Sequence, residues 1–229
     1  MKASTKISSD QRRAGIIQAV RKVFVEKGFH GTTTRELALA AGVSEALLFK
    51  HFPSKEALYR AMELSCVKQE HSAEVDRLEA LEPSTAALVY LVHLLVSRML
   101  ERRVPDDNER SLIRLMLRSL TDDGEFARLA FQGVPSQFIG KVETCLVAAI
   151  ASGDAVAGPV GPRPAAWFAH HLAAMLMIHC LPREPVVDYG LSREELGRQL
   201  AWFILRGAGL KEEAIRRYDQ PQVLAIFES

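Results

Sequence analysis

The three cysteines of this chain, Cys66, Cys145 and Cys180, are scattered, and no Cys-x-x-Cys occurs. An odd, dispersed count excludes a disulfide framework and a zinc ribbon, and it predicts buried thiols in a reducing compartment. Long apolar runs are also missing. No stretch reaches the roughly 18 uninterrupted apolar residues of a membrane helix. Residues 84–100 and 165–181 come closest, but His93, Arg98, His170, His171 and His179 interrupt them. The opening MKASTKISSDQRR has no apolar core, so no secretory leader and no membrane partner are expected, and a cytoplasmic location is. Catalytic signatures are absent too: there is no G-x-S-x-G and no HExxH. The GPVGPRP stretch at 158–164 lacks the Lys-Ser/Thr that makes a glycine loop a phosphate cradle. No enzyme and no cofactor are expected. The histidines at 170, 171 and 179 make a poor metal set. On a helix, 171 and 179 lie roughly 12 Å apart, and adjacent 170 and 171 diverge by about 100°.

Convincing period-2 alternation is lacking as well, so an all-α chain is expected. With 229 residues and 48% apolar composition it can bury a full core in one or two domains. A net charge of +1 hides an asymmetry. Residues 1–60 hold 11 Lys or Arg against 5 Asp or Glu, while the remainder hold 18 against 23. That places a basic field on the N-terminal end, as a phosphate-binding surface requires.

Residues 28–58, GFHGTTTRELALAAGVSEALLFKHFPSKEAL, carry the most specific pattern. Thr33 with Glu36 three residues on is a capping box that opens a helix. Leu37, Ala38 and Ala41 line one face of that helix, and small Ala38 leaves room for a second helix to cross. Gly42 stands where the helix stops and φ > 0 is needed. Val43 buries at the turn, Ser44 caps the next helix, Leu48 and Phe52 return to the core, and Pro53 ends it. This is a helix-turn-helix, with residues 45–52 as the segment suited to the major groove of double-stranded DNA.

Within it, Arg35 matches the paired acceptors of guanine, with Thr34 beside it. Glu45 suits a cytosine amine, and Ala46 and Leu47 a thymine methyl. Phe49, Lys50, His51 and Lys55 suit the sugar-phosphate backbone. The helix starts near Thr33 and Ser54 add backbone donors for phosphates, and Ser44, at the cap of the second helix, is counted among the DNA-binding residues. Lys2, Lys6, Arg12 and Arg13 form a basic arm ahead of the motif.

The same stretches resemble the TetR family of bacterial transcription regulators: GF at 28–29, TTT at 32–34, LA at 37–38, AGVS at 41–44, LFKHF at 48–52 and SKEAL at 54–58. The resemblance covers residues 10 to about 60. Here Ala46 stands where that pattern often has Gly or Pro, Phe49 replaces a common Tyr, and Thr34 a common Val or Ile. The resemblance implies an N-terminal helix-turn-helix DNA-binding domain, placed at 1–56, and a C-terminal helical ligand-binding and dimerisation domain at 57–229. It implies a homodimer on a palindromic operator, and a ligand-released repressor responding to a small, largely apolar effector.

Elsewhere helical spacing predicts helices at 10–28, 54–81, 84–102, 108–120, 123–131, 136–152, 164–181 and 192–208, the last opened by a Ser192–Glu195 capping box. The charged half of 54–81 suits a rod joining the two domains. Small residues Ala165, Ala166, Ala169, Ala173 and Ala174 permit close helix approach, as a dimer interface needs. For a pocket the candidates are adaptable or aromatic side chains: Met62, Met99, Met116, Phe126, Phe131, Trp167, His171 and Met175, with Phe138 beside them.

Overall fold

A computed structural model describes residues 8–68, 73–100, 107–132, 134–182 and 184–227. The side chains of 66–68, 73–76, 107–111 and 134 lie outside that description. The described chain is helical, with one isolated antiparallel bridge between Ala155 and Leu210. In order the helices are α1 (Ser9–Lys27), α2 (Thr34–Ala40), α3 (Glu45–His51), α4 (Lys55–Lys68), α5 (Ala73–Ala80), α6 (Thr85–Leu100) and α7 (Asp107–Thr121). Then come α8 (Glu125–Phe131), α9 (Val134–Ala151), α10 (Pro162–His179), α11 (Arg193–Gly207), α12 (Glu212–Tyr218) and α13 (Pro221–Leu224), with a last 3-10 turn at Ala225–Phe227.

The chain divides into two compact units, and the division is not a single cut. Unit 1 takes Met1–His71 together with Pro105–Val134, and unit 2 takes Ser72–Val104 with Pro135–Ser229. In unit 1, α1 packs on α2, α4 and α7, while α8 closes on α4 and α7. Ile16, Val20, Phe24, Leu37, Leu48, Phe52, Leu58, Met62, Leu115 and Phe126 fill its core. Segment 107–132 therefore builds the same core as the N-terminal motif, which sequence spacing does not reveal. In unit 2 the hub is α6, enclosed by α10, α11, α12 and α13. It is apolar almost all round, and such a helix is stable only inside. Val89, Leu91, Val92 and Val96 on it are essentially unexposed.

Several boundaries differ from expectation for local reasons. The first helix is opened by a capping box of Ser8 and Gln11. Of the expected helix over 54–81, α4 and α5 are seen, and its continuity across 69–72 lies outside the described residues. Ahead of α10, the Gly-Pro loop ends earlier than expected, because Pro162 occupies the first turn, where no N–H is needed. At α11 only half of the capping box forms. Ser192 accepts from the Glu195 amide at 3.1 Å, but the Glu195 carboxylate turns to Arg198 and Gln199. Helices α12 and α13 escape a periodicity search because they are short; α12 buries Ala214 and Ile215 alone. Cys145 is buried, Cys180 is half-exposed at the end of α10, and the Cys66 side chain lies outside the described residues.

Candidate nucleic-acid interface

The motif is held by local hydrogen bonds. Thr33 Oγ1 accepts from the Glu36 amide at 3.3 Å, and Glu36 Oε2 accepts from the Thr33 amide at 2.9 Å, completing the capping box. Lys27, at the end of α1, donates to Glu36 Oε1 at 2.5 Å and ties α1 to the start of α2. The Lys27 hydrogen bond first, then the Thr33 backbone and hydroxyl, hold the Glu36 carboxyl down at about 2. The helix then stops in a Schellman arrangement: Val43 N–H reaches Ala38 O at 3.0 Å and Gly42 N–H reaches Leu39 O at 3.1 Å. Gly42 has φ 63°, in the left-handed region. Ser44 Oγ accepts from Leu47 N at 3.2 Å and opens α3. Leu48 and Phe52 turn inward to nearly full burial.

What remains outside is mostly polar, with Leu39 and Phe49 exposed among it. Arg35, Glu45, Ala46 and Lys50 are exposed, and Thr34 is partly so. Thr34 Oγ1 donates to Glu45 Oε2 at 2.8 Å, fixing the start of α2 beside the start of α3. This contact, eleven residues apart, has no sequence signature. It orients the Glu45 carboxylate, which lessens its freedom as a base-reading group. Among the described residues, Arg35 and Lys50 make no hydrogen bond or ion pair, so both charges face solvent unpaired. Phe49 is exposed, while Leu47 and His51 are half-buried. The Thr33 and Ser44 hydroxyls are engaged in capping. Lys55 carries its ammonium 4.4 Å over the Phe29 ring, and Arg13 lies 4.5 Å over Phe52. Lys2 and Lys6 fall outside the described residues.

One further element shapes this unit. Gly28 sits at φ 70° against the Arg118 guanidinium, and a Cβ there would collide with it. Arg118 belongs to α7, so a glycine of the motif is packed by a residue ninety positions later.

The eight residues proposed for an effector pocket do not come together. Met62 and Phe126 are wholly buried in the unit 1 core, Met116 packs against it, and Phe131 in the same unit is half-buried. Met99 and Trp167 pack partly buried against the unit 2 core, which also buries Phe138. His171 and Met175 point outward from α10, Met175 at 51% exposure. Helical phase explains this: Ala166, Ala169, His170 and Ala173 face inward, so 168, 171 and 175 face out. Burial holds His170 at about 4, and it is neutral at pH 7.

Large apolar side chains stand on that outer side beside His171. Phe168 and Met175 on α10, with Trp202 and Phe203 on α11, are all exposed. Beside them Val160, Ala165, Phe168, Leu172, Phe203, Gly207 and Ala208 border a shallow groove of ≈ 180 Å³ with the buried Ala169 and Ile204 at its base. No single helix among the described residues is long and apolar enough to cross a membrane.

Comparison with known proteins agrees with this geometry. The sequence pattern of "Bacterial regulatory proteins, tetR family" matches residues 16–62. The transcriptional activator FasR of Mycolicibacterium smegmatis is 40% identical over 57 residues, which cover 25% of this chain and 26% of FasR. The chain thus matches about a quarter of that relative's length. Among solved structures, Salmonella enterica GusR superposes with a TM-score of 0.59 at 18% identity, over 89% of this chain and 99% of GusR. AibR, solved with isovaleryl coenzyme A and operator DNA, gives 0.57 at 16% identity, over 84% and 97%. At such identities the two structures establish the shared fold.

Proposed function

We propose that this chain, which belongs by its DNA-binding domain to the TetR family of bacterial regulatory proteins, is a dimeric, sequence-specific repressor released from a palindromic operator by a small, largely apolar effector. The observation that carries the DNA part is the capped, Schellman-terminated motif with Arg35 and Lys50 unpaired on its outer face. DNA reading is assigned to residues 1–56, with Arg35 on guanine, Glu45, Ala46 and Leu47 on neighbouring bases, and Lys50, His51 and Lys55 on phosphates. Phe49, without a hydroxyl, packs against sugar. Effector binding and dimerisation are assigned to 57–229, and the cytoplasm is the place of action.

Dimerisation is supported by exposed apolar side chains and by need. The apolar face of α10 and α11 fits a second copy of itself, which buries Phe168, Met175, Trp202 and Phe203. One short recognition helix contacts too few bases, so two half-sites about one turn, roughly 34–36 Å, apart are expected. For the effector, Met99 and Trp167, both partly buried against the unit 2 core, are the candidates kept in unit 2. AibR holds both an acyl-coenzyme A and DNA, and a comparable division of labour is proposed here. An effector that favours a DNA-incompetent state shifts the population away from operator binding. Because α7 and α8 share a core with the motif, movement of segment 107–132 is felt by the recognition helix.

Selection from a randomised duplex library with the purified full chain tests the reading. A palindrome with half-sites about one turn apart is the expected result. Binding without an enriched sequence would reduce the protein to a non-specific binder. With the operator in hand, a screen of apolar acids and their thioesters for release tests the effector, and no release by any of them counts against it.

A further inference from the structure

Glu63, on α4, is 1% exposed, and apart from the Tyr59 phenol one turn earlier its carboxylate finds no hydrogen-bond donor among the described residues. A buried carboxylate with so few donors is costly, whereas the neutral acid is far less so. Its surroundings add to the cost of ionising. Asp123, in the turn before α8, and Glu125, the first residue of α8, oppose it with like charge. On its own helix the Tyr59 phenol approaches it, and Arg60 favours the charged form, but Arg60 also pairs with Glu125 at 3.7 Å and is largely exposed. From α7, Arg118 acts on Tyr59. From α1, the Phe24 ring meets Tyr59 edge-on at 4.9 Å. Tyr59, Arg60, Arg118, Asp122, Asp123 and Glu125 border an open cleft of ≈ 440 Å³, which brings solvent up to this corner of unit 1.

We propose that Glu63 is a proton-operated latch: as the neutral acid it lets α4 close on α8, and as the carboxylate it pushes the two apart, so that rising pH loosens the support of the recognition helix and weakens DNA binding. The proposal rests on the regulator reading for its DNA consequence. The lever is short, because only Phe52, Pro53 and Ser54 separate α3 from α4, and Phe52 and Leu58 share one core with Met62. Burial first, then Asp123 and Glu125, raises the Glu63 carboxyl from its ordinary 4.5 to about 7. The folded unit therefore binds more protons than the unfolded one across that interval. Its stability is full below the ordinary value and is lost as pH rises through about 7.

The test uses the full chain with carbon-13 in its glutamate carboxyls, Glu63 being assigned through its backbone. A carboxyl midpoint near neutrality is expected, and a midpoint in the ordinary carboxylate range overturns the latch. Operator affinity is then followed from about pH 6 to about pH 8 in the parent chain and in Glu63→Gln, which keeps the shape and loses the proton. A several-fold fall in the parent and a flat profile in the variant are expected. Equal slopes in both overturn the proposal. If no duplex binds at any pH, the regulator reading fails on its own, and the melting temperature over the same range decides the latch. A fall in the parent alone supports it, and equal falls overturn it.

Discussion

Around α2 and α3 the exposed side chains include the charged Arg35, Glu45 and Lys50, with Leu39 and Phe49 among them, whereas on α10 and α11 they include the large apolar Phe168, Met175, Trp202 and Phe203 between charged neighbours. Both pairs of helices stand on apolar cores, and both leave one face uncovered. The first face carries the unpaired charges of Arg35 and Lys50 between helix caps, which suits a polar, phosphate-rich partner. The second carries large apolar side chains beside a groove based on Ala169 and Ile204, which suits another copy of itself. What a helix pair leaves exposed, more than what it buries, separates one partner class from the other.

The strongest way to break this contrast is to give the apolar face a charge. Phe203→Asp, at a side chain 63% exposed, is expected to convert dimer to monomer in sedimentation equilibrium. Operator affinity should drop by about 3 kcal/mol, roughly a hundredfold. Val147→Asp, exposed elsewhere on unit 2, serves as the control and should leave the dimer intact. A Phe203→Asp protein that sediments as a dimer would remove this face as the interface.

On the polar face, Arg35→Ala should cost roughly 1–3 kcal/mol of operator binding and relax preference at one position in each half-site. A loss shared equally by every sequence would move Arg35 from base reading to phosphate contact. Smaller, and felt in stability, is the cap. Thr33→Ala should lower unfolding free energy by about 1 kcal/mol in denaturant titration, with no change in oligomeric state.

The partner of that cap gives a pH test of opposite sign to the Glu63 latch. Glu36 has its carboxyl held at about 2 by Lys27 and Thr33. A depressed folded value means that its stabilising effect is present above the ordinary 4.5 and is lost as pH falls toward 2. Thermal melts of Glu36→Gln should lack that acid-side loss, and an unchanged acid limb would show that the pair contributes little. The smallest effect belongs to Lys55. Its replacement by Ala should weaken all duplexes alike and reduce the salt slope by about one. A sequence-dependent loss at Lys55 would blur the division between reading and positioning.

Much of unit 1 was legible because its signals are local. A threonine and a glutamate three apart, a glycine at the helix stop and an apolar residue every three or four positions each act through neighbours in the chain. The candidate DNA face followed from the same phase. The Thr34–Glu45 bond, the Arg118 packing on Gly28 and the burial of Glu63 were not legible, since their partners lie eleven to ninety residues away. The pocket candidates show the same limit. A methionine on a helix carries no mark of whether it faces core, groove or solvent, and Met62 and Met175 took opposite places.

By itself, then, the sequence determined the all-α class, the helix-turn-helix from Thr33 to Pro53 and the residues on its outer surface, because caps, turns and helical phase are fixed by interactions within a few residues. Tertiary packing alone decided that segment 107–132 completes the motif's core, that Phe168, Met175 and Phe203 share one exposed face, and that an acid on α4 is sealed beside two others. Burial and like-charge proximity are properties of space, set by which distant helices close on one another.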